Sequence, residues 1–145
     1  MFKHILIPTD GSALSTAAIQ NALQLARAVK AKTTVITVTE PFHIFSMDSI
    51  QLADTRSAYE THAGEAARRC LDAAKREAGA LGVECEAIQV EHAMPYKAIT
   101  DTAATKGCDL IAMASHGRRG AAALILGSET AKVLTHSSIP VLVYR

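Results

Sequence analysis

Five short runs of apolar or β-branched residues predict the strands of this chain. The runs 4–8 and 110–114 are almost entirely apolar, and turn residues follow each of them. Such runs indicate strands that are covered on both faces, as in a parallel sheet between two layers of helices. The β-branched run 33–38 and the apolar run 139–144 predict two more strands. Residues 84–90 alternate only weakly, which predicts a fifth, more edge-like strand.

The segments between these runs carry the three- to four-residue spacing of helices. An apolar face repeats through residues 18–29, 67–81 and 96–103, and a shorter helix-like segment covers residues 129–136. Pro95 suits the first turn of the third helix, and Gly82 is placed to end the second. Residues 40–57 show weak periodicity, so we expect a long connection there, and connections of that length are often functional.

The order of these elements, β-α-β-α-β-α-β-α-β, predicts the fold class. No linker, repeat or low-complexity tract divides the 145 residues, so we expect one domain over residues 1–145. Strict alternation indicates an α/β fold, with an open, doubly wound parallel sheet of five strands and helices on both faces. Ligands of such sheets bind beyond the carboxyl ends of the strands, at the point where the strand order reverses.

The strongest functional signal follows the predicted strand 110–114. Ser115-His116-Gly117 begins a small polar loop, and Gly127-Ser128 stands directly before the last helix. Backbone N–H groups in such a loop and at a helix N-terminus are unpaired, and the helix dipole favours an anion, so this order predicts a phosphate site. It is not a P-loop, since no lysine precedes Ser128, nor a G-x-G dinucleotide fingerprint. The alternative is that Gly117 and Gly127 only form turns and Ser128 only caps the helix.

The turn after the first strand carries a carboxylate that becomes a candidate ligand contact in combination with this loop. Asp10 lies within Thr9-Asp10-Gly11-Ser12, and alone it would more often be a turn residue than a ligand. If the first and fourth strands are neighbours, Asp10 and the loop after Ala114 face one crevice. The carboxylate would then accept hydrogen bonds from ribose hydroxyls, while the N–H groups of the loop take phosphates.

Composition narrows the classes of function. The formal net charge is +1, so nothing indicates a nucleic-acid surface. The three cysteines, Cys70, Cys85 and Cys108, are isolated and show no metal-ligand spacing, so we interpret them as reduced thiols of a cytoplasmic protein and expect no metal site. No apolar stretch is long enough for a signal peptide or a membrane span.

Taken in order, these motifs resemble the universal stress protein family over essentially the whole chain. Residues 5–12 are similar to the family's first strand and turn, and residues 139–143 to its last strand. The more specific match runs from Ala114 through Gly117 and nine further residues to Gly127-Ser128. It is similar to the pattern of the ATP-binding branch, in which Gly, two residues, Gly and nine residues precede Gly and then Ser or Thr. The resemblance implies strand order 3-2-1-4-5, homodimers and bound ATP or AMP, with or without Mg²⁺.

The resemblance also implies which residues would surround the nucleotide. Pro8, Thr9 and Asp10 would lie around the ribose and adenine, and Val38 would offer backbone groups to the adenine edge. The set along the ribose and phosphates would be Met113, Ala114, Gly117, Gly127, Ser128, Glu129 and Thr130. Backbone contacts dominate this set, so placement matters more than side-chain identity.

Ala114 departs from the pattern, because it stands where the ATP-binding branch has its first glycine. A left-handed backbone at this position would strain alanine by roughly 1–2 kcal/mol. An ordinary backbone angle would leave only one methyl group that crowds the ribose.

Three functions follow from these observations. The leading one is a stress-response regulatory protein that binds ATP or AMP, acts on an unknown partner protein and has little or no turnover. A slow ATPase would use His116 and Asp10, although the chain shows no Walker lysine and no obvious metal-binding carboxylate pair. The third is a dimeric interaction module that binds no nucleotide.

The apolar run 139–144 predicts the dimer contact. It carries no charge before Arg145, and Pro140 suits an edge strand. A bare apolar edge favours aggregation, and pairing two copies of this strand about a two-fold axis would cover it. The alternative is that residues 40–57 or a neighbouring helix cover the strand within one monomer.

Overall fold

The computed structural model describes residues 1–42, 49–117 and 125–145. Residues 43–48, in the predicted long connection, and 118–124, in the predicted phosphate loop, lie outside the described residues. Strands and helices alternate as predicted. Their bounds are β1 His4–Pro8, α1 Ala13–Val29, β2 Lys32–Thr39, α2 Ser49–Leu81, β3 Cys85–Glu91, α3 Pro95–Lys106, β4 Leu110–Ala114, α4 Ser128–His136 and β5 Val141–Tyr144.

The five strands form one parallel sheet in the order β3-β2-β1-β4-β5, which confirms the predicted fold class and strand order. Helices α1 and α2 pack on one face of the sheet, and α3 and α4 pack on the other. The strand order reverses at β1, because β2 follows on one side of it and β4 on the other. This point is where ligands of doubly wound sheets bind.

The two central strands are buried along their whole length, as their apolar composition predicted. Ile5 and Ile7 pack towards α1 and α2, whereas Leu6 packs with Ile111 towards α3 and α4. Side chains of a strand point alternately to the two faces of the sheet. A strand covered on both faces therefore has no polar side, and β1 and β4 contain almost no polar residues.

Pro95 and Gly82 lie at helix ends as predicted, and a serine caps the first helix. The hydroxyl of Ser12 caps α1 by accepting the N–H of Ser15 at 3.2 Å. Pro95 is the first residue of α3, and Gly82 follows α2 with a left-handed φ of 67°. At α4 the alternative that Ser128 caps the helix does not hold, since Gly127 occupies the cap position and Ser128 is the first helical residue.

Two boundaries differ from the predictions by more than one residue. Helix α2 begins at Ser49, so the predicted irregular connection over residues 40–57 is wrong for residues 49–57. Although α2 is long, neither it nor any other helix in the described part of the chain is both long enough and apolar enough to cross a membrane. Strand β5 begins at Val141 rather than at residue 139, because the N–H of Ile139 bonds to the hydroxyl of Ser137 and Pro140 has no N–H to pair.

Candidate ligand-binding site

A cavity of about 370 Å³ opens at the carboxyl edge of the sheet, where the strand order reverses. The paired residues of β1 and β4 are Ile5 with Leu110 and Leu6 with Ile111, so these strands are unpaired over their last residues. Their separation creates the crevice. The carboxyl end of β2 and the starts of α1, α3 and α4 form the remaining walls.

All eleven residues that the resemblance named line this cavity. They are Pro8, Thr9, Asp10, Val38, Met113, Ala114, Gly117, Gly127, Ser128, Glu129 and Thr130. The candidate base His116 lines it as well. Sequence reasoning missed five lining residues, namely Ser15, Ile36, Glu40, Pro95 and Ile99. Position is a usable signal for three of them, because Glu40 directly follows β2 and Ser15 and Pro95 lie in the first turns of α1 and α3, beside the carboxyl edge.

Hydrogen bonds within the turn after β1 fix its shape. Thr9 is buried, and its N–H donates to Ile36 O at 2.9 Å while its hydroxyl lies 3.0 Å from the hydroxyl of Ser15. The N–H of Ser12 donates to Oδ1 of Asp10 at 3.0 Å. Gly11 adopts a left-handed φ of 79°, a conformation that side chains other than glycine rarely take. The turn thus presents the exposed Asp10 carboxylate at the mouth of the cavity.

Two contacts join the start of α4 to the end of β4. The N–H of Gly127 donates to Ser115 O at 2.8 Å, and the hydroxyl of Thr130 donates to Ala114 O at 2.9 Å. Since the Thr130 hydroxyl is buried and bonded, the polar group that remains for a ligand there is the backbone N–H. The two ends of the loop between β4 and α4 are therefore held together.

An added Cβ would collide at both loop glycines, with backbone atoms at Gly127 and with a side chain at Gly117. A Cβ at Gly127 would lie 2.9 Å from the Cα of His116, and a Cβ at Gly117 would overlap Oδ2 of Asp10. At Gly127 the obstacle is backbone, so the lack of space and not only a turn favours glycine there. The close packing of Asp10 on Gly117 brings the carboxylate and the loop into one crevice, which is the arrangement predicted if β1 and β4 are neighbours.

Ala114 has an ordinary backbone conformation. Among the described residues other than glycine, Lys30 alone has a left-handed φ, at 59°. Ala114 ends β4 and pairs with Tyr144 of β5. The strain considered for alanine at this position is therefore absent, and only the added methyl group distinguishes it from glycine.

The polar groups of the cavity favour an anion held by backbone N–H groups. Within α4 the hydrogen bonds begin with Ala131 N–H to Gly127 O at 2.9 Å. The N–H groups of the three preceding residues therefore lie at the positive end of the helix dipole. The described lining residues include no lysine or arginine. Nδ1 of His116 lies 3.2 Å from the hydroxyl of Ser115, which is not a carboxylate that would orient a general base.

The chain belongs to the universal stress protein family, whose sequence profile matches residues 1–145. A universal stress protein of Thermus aquaticus is 32% identical over 149 residues, with both chains fully covered. A solved universal stress protein of Methanocaldococcus jannaschii is 27% identical, with a TM-score of 0.78 over 99% of this chain and 95% of that chain. The crystal structure of a universal stress protein in complex with cAMP is 29% identical, with a TM-score of 0.73 over 99% of this chain and 97% of that chain.

Proposed function

We propose that this chain is a stress-response regulatory protein whose single domain, residues 1–145, binds ATP or AMP in the cavity between β1 and β4. The observation that carries the proposal is the contact of Asp10 with Gly117. It joins a carboxylate suited to ribose hydroxyls with a loop and helix start suited to phosphates. A universal stress protein 29% identical to this chain forms a complex with cAMP, which supports an adenine nucleotide as the ligand.

The cavity offers a different chemistry to each part of a nucleotide. Ile36, Val38 and Ile99 make one region apolar, which suits a purine base. Asp10 would accept hydrogen bonds from the ribose, and the first N–H groups of α4 would hold phosphates. The ordinary backbone of Ala114 supports membership of the ATP-binding branch, because the methyl group adds bulk without strain.

Mg²⁺ is compatible with this ligand. The ion usually keeps several waters and binds through one or two carboxylates plus substrate phosphates. Asp10 and Glu40 are carboxylates of the cavity that would hold the ion beside ATP, and the ion would offset phosphate charge. Among the described residues no group of three metal-ligating side chains exists, so the phosphates would complete the coordination.

Calorimetry on ligand-free protein tests nucleotide binding. We expect saturable binding of ATP and AMP at millimolar concentration. Ser128→Glu should weaken ATP binding roughly tenfold or more, because it places a carboxylate at the N-terminus of α4. Ser138→Glu adds the same charge at an exposed position outside the cavity and should leave the affinity unchanged. A flat titration of well-folded wild-type protein would contradict the proposal and favour the interaction module.

We also propose little or no turnover, although His116 and Asp10 both line the cavity. A hydrolytic water needs a committed base, and the partner of His116 is a hydroxyl rather than a carboxylate. Phosphate release should stay at the level of a protein-free control. Hydrolysis that co-purifies with the protein and is lost in His116→Ala would instead establish the slow ATPase.

The remaining proposals concern assembly and context. We propose a homodimer through the edge strand β5, acting in the cytoplasm on a partner protein that is still unknown. The edge position of β5 in the sheet supports the dimer, and light scattering on wild-type protein and a β5 variant tests it.

A further inference from the structure

Helix α3 begins without a cap from its own segment. Its N-cap residue, Met94, has no side-chain acceptor, and Pro95 has no N–H. The N–H groups of Lys97 and Ala98 both reach Met94 O, at 3.1 and 3.2 Å. The N–H of Tyr96 is the remaining donor of this first turn, and a helix N-terminus needs an acceptor for it.

Glu129 supplies that acceptor from the neighbouring helix. Its Oε2 accepts the N–H of Tyr96 at 2.9 Å, although the two residues lie 33 positions apart. Its Oε1 lies 3.3 Å from Nζ of Lys132 on the same helix. The carboxylate thus lies at the N-termini of α4 and α3, where both helix dipoles favour negative charge.

We propose that Glu129 is a positioning residue of the cavity, which holds the wall formed by α3 against the start of α4. The inference rests on the proposed nucleotide function. Pro95 and Ile99 of α3 line the apolar part of the cavity, and Ser128 and Thr130 of α4 line the part suited to phosphates. The carboxylate of Glu129 joins these two walls. Its role in binding is therefore to set their separation, not to contact phosphate.

Side chains around this contact hold the same two helices together. The rings of Tyr96 and His136 lie 4.8 Å apart between centroids, and Nζ of Lys132 lies 5.7 Å from the centroid of the Tyr96 ring. Nδ1 of His136 lies 2.8 Å from Lys132 O. These contacts keep Tyr96 beside α4, so the backbone N–H of Tyr96 stays within reach of Glu129.

Binding of adenosine and ATP to two variants of Glu129 distinguishes a positioning role from an effect of its charge on the phosphates. Glu129→Ala removes the acceptor, whereas Glu129→Gln keeps a carbonyl oxygen for Tyr96 but removes the charge. We expect Glu129→Ala to weaken adenosine and ATP by the same factor, roughly fivefold, the size of a lost helix cap. Glu129→Gln should restore most of the affinity for both. Asp101→Asn removes an exposed carboxylate of α3 outside the cavity and is the control for charge.

The outcomes are distinct for the two proposals. If Glu129 acted on phosphates through its charge, both variants would tighten ATP and leave adenosine unchanged, and that result would overturn positioning. Unchanged affinities in Glu129→Ala would overturn it as well.

If wild-type protein binds neither ligand, the nucleotide proposal fails. Hydrogen exchange of ligand-free protein then tests whether Glu129 holds α3 against α4. The amides of Tyr96 and Lys97 should exchange roughly fivefold faster in Glu129→Ala and near the wild-type rate in Glu129→Gln. Equal exchange rates in Glu129→Ala and wild type would show that Glu129 does not hold α3 against α4.

Discussion

Gly127 has no room for a side chain, because a Cβ there would meet the Cα and Cβ of His116 at 2.9 and 3.0 Å. Ala114, by contrast, carries its methyl group in an ordinary strand conformation. The glycine pattern alone does not distinguish these two positions. The difference arises from what each Cα faces: backbone across a closed loop at Gly127, and the cavity at Ala114.

Gly127→Ala should therefore destabilise the fold by about 1–3 kcal/mol, the range for overpacking, and should weaken nucleotide binding, because the contact atoms belong to backbone that must move. Urea unfolding and calorimetry measure the two effects. Gly64→Ala is the matched control, since nothing lies within 4 Å of its Cβ position in α2. It should stabilise the protein by up to about 1 kcal/mol. Equal effects of both changes would contradict the steric account of Gly127.

His4 is a buried titratable residue at the opposite end of β1. It is 6% exposed, and its Nε2 lies 2.8 Å from the hydroxyl of Thr34. Its Nδ1 is buried without a hydrogen-bond partner among the described residues. Desolvation, followed by the nearby Lys32, lowers the pKa of His4. The nearby backbone of Lys106, too poorly placed for an ordinary hydrogen bond, and the charges of Asp109 and Glu86 oppose this only in part.

Stability should fall as the pH is lowered past the ordinary histidine pKa. The folded protein resists protonation of His4, so the unfolded chain binds more protons, and stability rises with pH in this window. The contribution of His4 is complete above its unfolded pKa of about 6.5 and is lost as the pH falls towards its lower folded pKa. Urea midpoints between pH 7.5 and 5.5 measure this dependence. His4→Gln should flatten it and exposed His62→Gln should not; a slope that His4→Gln leaves unchanged would exclude His4 as its cause.

Among the strands and helices, the sequence predicts best those that bury an apolar face. Strands β1 and β4 are apolar because both of their faces are covered, and their patterns were unambiguous. The first half of α2 was missed, because residues 53–66 include no buried residue and Ala67 is the first. A helix that buries no face has no apolar stripe, so periodicity does not reveal it.

The site shows the same limit in another form. The turn of Asp10 and the spaced glycines were recognisable as a motif, because the left-handed backbone at Gly11 and the close packing at Gly127 favour glycine. Ile36 and Ile99 were not, since a residue that lines a cavity and a residue that fills the core have the same apolar side chain. The capping of α3 by Glu129 joins residues 33 positions apart, and only the packing of two helices reveals it.

Thr130 anchors helix α4 to the sheet, and a pair of variants tests that anchor. Thr130 is 3% exposed, and its hydroxyl donates a hydrogen bond to Ala114 O at 2.9 Å. Thr130→Val should cost about 1–3 kcal/mol, because the carbonyl of Ala114 then loses a buried donor. Thr135→Val removes an exposed hydroxyl bond from the same helix and should change stability by less than about 0.5 kcal/mol. Thermal or urea unfolding compares them, and equal losses of stability would show that the buried bond contributes no more than the exposed one.

At the scale of the whole molecule, the two edges of the sheet differ in charge. Strand β3 carries Glu86, which lies 2.6 Å from Nζ of Lys106, and ends at Glu91. Strand β5 has no charged residue before Arg145, and all four of its residues are half-buried. Charged side chains protect an exposed edge from pairing, so β5 is the edge that is open to a second strand.

The backbone groups available on that edge belong to two valines. Pro140 O accepts the N–H of Ile111 and Tyr144 O accepts the N–H of Ser115, so alternate residues of β5 face β4. By the same alternation the N–H and C=O groups of Val141 and Val143 face away from the sheet. A second β5 strand about a two-fold axis would bond to those groups.

Val143→Pro should therefore convert the proposed dimer to a folded monomer, because proline removes one outward N–H and leaves the bonds between β5 and β4 intact. Gln89→Pro is the matched control on β3: Glu84 O and the N–H of His92 both bond to β2, so the N–H of Gln89 also faces outward. Light scattering at micromolar concentration should show dimers for wild type and Gln89→Pro and a monomer for Val143→Pro, with native circular dichroism in all three. A monomeric wild type would refute the dimer, and a dimeric Val143→Pro would place the interface away from β5.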